Sequence, residues 1–136
     1  MSLIAVLSFV AAACGGGNVF DLAVGTCFND GDLSEVEITD VPVVDCAEPH
    51  DNEVYYLFDM ADGLFPGVDQ VSATAFEGCV AAFDSYVGLD YASSELVATF
   101  LAPSSGSWEE DDREVVCFLY QIDLDKLTGT MRDSGI

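Results

Sequence analysis

Apolar and polar positions along the chain change period several times, and each change predicts an element. Val19 to Phe28 (VFDLAVGTCF) is a short extended lead-in, with Gly25 placed for a bend before Cys27. The turn residues NDGD follow at 29–32. Glu35 to Ile38 alternates charged and apolar, the period of a half-buried strand. Val41 to Val44 predicts another short strand, confined by Pro42 to an edge or a strand start. Asn52 to Met60 (NEVYYLFDM), rich in aromatic and branched side chains, predicts a longer one. From Asp69, placed as an N-cap, the period lengthens: Val71, Ala75, Cys79, Ala82, Phe83 and Tyr86 recur at helical steps and form one apolar face. Gly88 is placed to end that helix, and Gly78 inside it is expected to leave room for a disulfide at Cys79. Leu96–Leu101 and Glu114–Ile122 return to strand character, with a single helical turn expected at Trp108, capped by Ser107. The tail LTGTMRDSGI is expected to add one short extended piece and then fray. These elements predict an α+β domain: a small antiparallel sheet packed by one main helix.

The first residues read differently. Residues 3–13 (LIAVLSFVAAA) are 11 uncharged positions, the length of a signal-peptide core and too short to span a bilayer. The run ends in small residues before Cys14 and Gly15–Gly17, which resembles a bacterial lipobox, although Ala11 stands where leucine is usual and no positive residue precedes the run. The expectation is a leader over 1–13, lipidation at Cys14, a glycine-rich tether over 14–18 and a domain over 19–136.

Charge narrows the partners. The chain has 25 acidic residues against 3 basic ones, a net charge of −22, and no Lys or Arg before Arg113. Such a surface repels phosphate backbones, so no nucleic-acid partner is expected. Cysteine usage narrows the compartment. With Cys14 set aside, Cys27, Cys46, Cys79 and Cys117 remain, an even number that reads as two disulfides in an exported chain. Three pairings are possible; Cys27–Cys46 and Cys79–Cys117 are preferred, the second tying helix to strand.

Candidate chemistry centres on His50, the single histidine, in CAEPHDNE (46–53). A metal centre would need about three ligands, and His50, Asp51 and Glu53 are the local set, but on an extended segment His50 and Asp51 face opposite ways. No nucleophile elbow frames Ser104, Ser105 or Ser107, and EEDDRE (109–114) lacks EF-hand spacing. The preferred reading is a fastened turn, with no cofactor, no metal and no catalytic residue assigned. His50, Glu53, Tyr55, Trp108 and Arg113 are retained as a possible binding surface, although for Trp108 a half-buried loop anchor is the preferred reading. The alternatives are an envelope hydrolase using His50 or a carboxylate pair, and an extracellular cation sensor.

The ordered strings GTCF, VPVVDCAEPHDNEVY, FEGCVAAFDSYVG, PSSGSW, DREVVCFLY and LTGT resemble the septum-formation domain of actinobacteria over about residues 19–131. Cys27, Cys46, Pro49, His50, Glu53, Cys79, Trp108, Arg113 and Cys117 carry the likeness, and in that family the four cysteines form a disulfide framework. The resemblance implies a domain outside the cytoplasmic membrane, behind a lipobox or a transmembrane helix. The family name implies a connection with cell division and no particular reaction; the preferred reading is a lipid-anchored binding or scaffold domain for a division protein, another envelope protein or a wall component.

Overall fold

The computed structural model describes residues 17–18, 21–31 and 40–136. The leader, Cys14, the first part of the tether and the expected strand Glu35–Ile38 lie outside the described residues. Strands β1 (Gly17–Asn18), β2 (Cys27–Phe28), β3 (Asp40–Val41), β4 (Val43–Val44) and β5 (Asn52–Asp59) precede helix α1 (Val68–Val87). A 3-10 turn (Tyr91–Ser93), β6 (Leu96–Leu101), the short helix α2 (Ser105–Glu109) and β7 (Glu114–Gln121) follow. β1 pairs with β3, Gly17 opposite Val41 and Asn18 opposite Asp40. The main sheet has five strands in the order β4-β2-β5-β7-β6, every pair antiparallel. The α+β architecture with one main helix and two disulfides is as expected.

Pro42 explains why one predicted strand became two. It lacks an N–H and sits between β3, which pairs with β1, and β4, which pairs with β2. The central strands are covered on both faces. On one, α1 brings Ala75, Cys79 and Phe83 against Tyr55, Val115, Cys117 and Leu119. On the other, Leu22, Phe28 and Val41 cover Val54 and Val116. The preferred pairing is the observed one: Cys27 is bonded to Cys46, and Cys79 on α1 to Cys117 on β7.

β5 breaks its own alternation. Val54 pairs with Phe118 and Tyr56 with Cys117, so Tyr55 is an extra residue in the ladder, a β-bulge. The bulge turns Tyr55, Tyr56 and Phe58 to the helix side while Leu57 packs on the other face with Val54. Tyr56 and Phe58 then stack, with ring centroids 5.7 Å apart. Without the bulge, Tyr56 would face away from the helix.

Several local expectations are corrected. Helix α1 is capped by Gly67 (φ 101°), and Asp69 lies in its first turn, where its charge complements the helix dipole. Gly88 ends the helix in the left-handed conformation, as expected. Ser104, not Ser107, caps α2; each serine hydroxyl accepts the other's backbone N–H in a reciprocal box. Gly78 makes room for Phe58, not for the disulfide: a Cβ there would lie 2.5 Å from the ring. Gly78→Ala is therefore expected to lower stability by about 1 kcal/mol in a thermal melt, because displacing the ring outweighs the better helix propensity of alanine. A variant more stable than the parent would contradict this packing.

The tail does not fray. Leu127 and His50 exchange both backbone hydrogen bonds (2.9 and 2.8 Å). Further on, Asp133 N–H donates to Tyr86 O and Gly135 N–H to Val87 O, each at 2.8 Å. Those two carbonyls belong to the last turn of α1 and have no partner within the helix, so the tail completes it.

Candidate functional site

His50 and Glu53 enter the structure at the start of β5, where the tail crosses the sheet. Both are fully buried, at 0% exposure. The Nδ1–H of His50 donates to the Glu48 carbonyl at 2.8 Å, fastening the turn, while Nε2 is buried and without a hydrogen-bond partner. Glu53 sits opposite Cys27 in the β2–β5 register. Its Oε1 accepts the hydroxyls of Tyr86 and Thr130, each at 2.6 Å, and its Oε2 accepts the Met131 N–H at 2.7 Å. Three donors converging on one buried carboxylate satisfy it as water would. Burial and the bond to Glu53 push the Tyr86 hydroxyl up to about 12, so it remains a donor at neutral pH.

Asp51 goes the other way. It lies 2.6 Å from Lys126 Nζ and accepts the Asp30 N–H at 2.9 Å. Burial raises its pKa, but Lys126 and the Asp30 amide outweigh that and hold it below the usual carboxylate value. The local trio His50, Asp51 and Glu53 is thus not brought together. Cys27 takes the place of Asp51: its sulfur, a ring nitrogen of His50 and a carboxylate oxygen of Glu53 lie within 4.8 Å of one another.

Of the five residues held as a possible contact surface, His50, Glu53, Tyr55 and Trp108 are buried and Arg113 is partly buried. Tyr55 is buried and donates its hydroxyl to the Cys79 carbonyl at 2.6 Å. Trp108 is buried, and its Nε1–H donates to Gly63 O at 2.9 Å. The Arg113 guanidinium stacks 3.7 Å above the Trp108 ring, donates to the Trp108 carbonyl and pairs with Asp62 at 3.2 Å. These residues anchor loops.

Beside Arg113, Asp59 and Glu114 face each other across β5 and β7. Burial, then Asp59 and Asp112, raise the pKa of Glu114. A carboxylate whose folded pKa lies above its unfolded value destabilises the fold once ionised, and that penalty disappears as pH falls through the folded pKa. Glu114→Gln is therefore expected to raise the melting temperature at pH 7 and to change nothing below about pH 4. Paired melts at the two pH values test this; equal shifts at both would refute it.

What reaches the surface is a groove between α1 and β5, about 590 Å³ in volume. Tyr56, Phe58, Val24, Ala81, Ala82 and the ring of Tyr86 give it an apolar, aromatic lining. Tyr56 is 40% exposed. At one end the Arg132 guanidinium lies 4.7 Å above the Tyr86 ring. The buried carboxylate builds that end: Glu53 holds Tyr86, Thr130 and Met131, and Arg132 follows directly in the chain. Sequence reading missed Tyr56 and Arg132, because the bulge that turns Tyr56 inward has no signature in a strand of alternating residues. Arg132 stands in the tail LTGTMRDSGI, whose sequence carries no signal of what it packs against.

The fold defines the class: a small disulfide-braced α+β domain with an open aromatic groove. The family described as septum formation matches residues 18–120, most of the chain, and the protein belongs to that family. Membership links it to septum formation and points to the envelope or the extracellular side as its place. No curated protein and no solved structure matches the chain. Among the described residues, no helix is long and apolar enough to cross a membrane.

Proposed function

We propose that this chain is a lipid-anchored, extracytoplasmic binding domain that serves septum formation by holding a segment of a partner polypeptide in the α1–β5 groove. The groove carries the reading. It exposes aromatic surface at Tyr56, in a setting where ring stacking and apolar anchors contribute most of an interface's energy. A net charge of −22 favours a partner of opposite sign, whose basic residues speed encounter while an apolar side chain seats between Tyr56 and Ala81. Two disulfides support a compartment that keeps cysteines oxidised. The small-residue run before Cys14 supports the anchor, and Cys14→Ala is expected to release the chain from the membrane fraction.

The test is a photo-crosslinking residue placed at Ala81 in the groove, compared with one at the exposed Leu124. A basic envelope protein captured from Ala81 alone, with capture falling at high salt and in Tyr56→Ala, supports the reading. Equal capture from both positions would remove the groove from it. Normal septa in cells depleted of the chain would remove the cellular role.

A further inference from the structure

We propose that Cys27, Cys46, His50 and Glu53 form a zinc site when the Cys27–Cys46 bond is reduced. The ligand types are already gathered. Cys27 Sγ, a His50 nitrogen and a Glu53 oxygen lie within 4.8 Å of one another, all three residues buried, and Cys46 is covalently joined to Cys27. While the bond is intact, its sulfurs are poor ligands and the set is incomplete. Reduction supplies the two missing thiolates. The result is two sulfurs, one imidazole and one carboxylate, a four-ligand set without an open position, which suits structural zinc.

An independent observation points to a ligand here. His50 Nε2 is fully buried and unpartnered, and a buried polar atom in that state needs an explanation. The Glu48 carbonyl can only accept, so Nδ1 carries the hydrogen, and in the neutral ring Nε2 keeps its lone pair. A backbone carbonyl behind the ring is the usual arrangement for a metal-binding imidazole. Glu53 also retains capacity, because Oε2 accepts only the Met131 N–H.

Access favours opening this bond first. Cys79 and Cys117 are both at 0% exposure, whereas Cys46 is only partly buried. Disulfide exchange requires a thiolate to reach a sulfur. A dithiol reductant attacks Cys46, its two sulfhydryl hydrogens pass to Cys27 and Cys46, and it leaves as its own disulfide. Zinc then displaces the two thiol protons. Before the bond forms, or after it reopens, the metal would hold the β2–β4 corner that the disulfide otherwise holds.

The test uses the full chain, treated with limiting dithiothreitol until alkylation and mass mapping show Cys27 and Cys46 free and Cys79–Cys117 intact. Zinc is titrated against a chromophoric chelator, Co²⁺ absorption reports geometry, and circular dichroism follows the fold. The expected result is one metal per reduced chain, a tetrahedral cobalt spectrum with thiolate charge transfer, and no uptake by the oxidised chain. His50→Ala is expected to weaken binding at least about tenfold. Should that variant fail to fold, X-ray absorption on the zinc-loaded parent decides, with two sulfurs and one imidazole expected. Absence of uptake, an octahedral oxygen-ligated cobalt spectrum, unchanged affinity in a folded His50→Ala, or unfolding on reduction without metal binding would each overturn the proposal.

Discussion

Replacing Cys79 and Cys117 together by alanine is expected to lower the unfolding free energy by about 4 kcal/mol. The bridge closes a loop with a sequence separation of 38 between α1 and β7, through the centre of the core. Without it, the unfolded chain regains the freedom to separate helix from sheet. The Cys27–Cys46 bridge spans only 19 residues, and its loss should cost about 3 kcal/mol on the same chain-entropy argument. A small domain has about 5–15 kcal/mol in all, so the doubly reduced chain is expected to lose about half of its stability or more. Denaturant melts of the parent and of the two double variants measure this. A larger loss from the Cys27–Cys46 pair than from the Cys79–Cys117 pair would show that loop length is not what governs the effect.

Glu53→Ala is expected to cost about 3–5 kcal/mol, because it strands three donors at once and each unsatisfied buried group costs about 1–3 kcal/mol. The Met131 N–H and the Tyr86 hydroxyl lose a partner in a region that water does not reach, and Thr130 loses one at its edge. Tyr86→Phe should cost less, about 1 kcal/mol, since Glu53 keeps two of its three donors. The two variants also differ in where they act. Glu53→Ala is expected to speed amide exchange across residues 127–135 and to free Arg132 from the groove, whereas Tyr86→Phe leaves the tail in place. Thermal melts with residue-resolved hydrogen exchange separate the two. A loss under about 1 kcal/mol for Glu53→Ala, with the tail still protected, would mean that the carboxylate does not hold it.

The Glu53 cluster also explains why the candidate site was only partly legible. Its members stand at 53, 86 and 130–131, and nothing local ties a strand residue to a helix residue and a tail loop. The charge of Glu53 suggested a surface position, because carboxylates are rarely buried. Its burial is tolerable only because three distant donors arrive. Trp108 is the simpler case: an aromatic in an acidic loop fits a loop anchor better than a contact, and it is an anchor, but the Gly63 carbonyl and the Arg113 guanidinium that hold it could be named only from the fold. Tyr56 went unnoticed for a different reason, since a single extra residue in the β5–β7 ladder reverses the face of everything beyond it.

Periodicity and turn chemistry by themselves determined the long strands, the main helix and its glycine stop, because those signals arise from backbone geometry within a few residues. The parity of the cysteines and the asymmetry of charge likewise determined the braced, acidic character of the domain. Tertiary structure alone decided which polar side chains are inside, which face Tyr56 presents, and that Cys27 rather than Asp51 stands with His50 and Glu53. Burial and hydrogen-bond satisfaction belong to pairs of residues far apart in the chain, and a linear pattern carries no record of which distant partner will arrive.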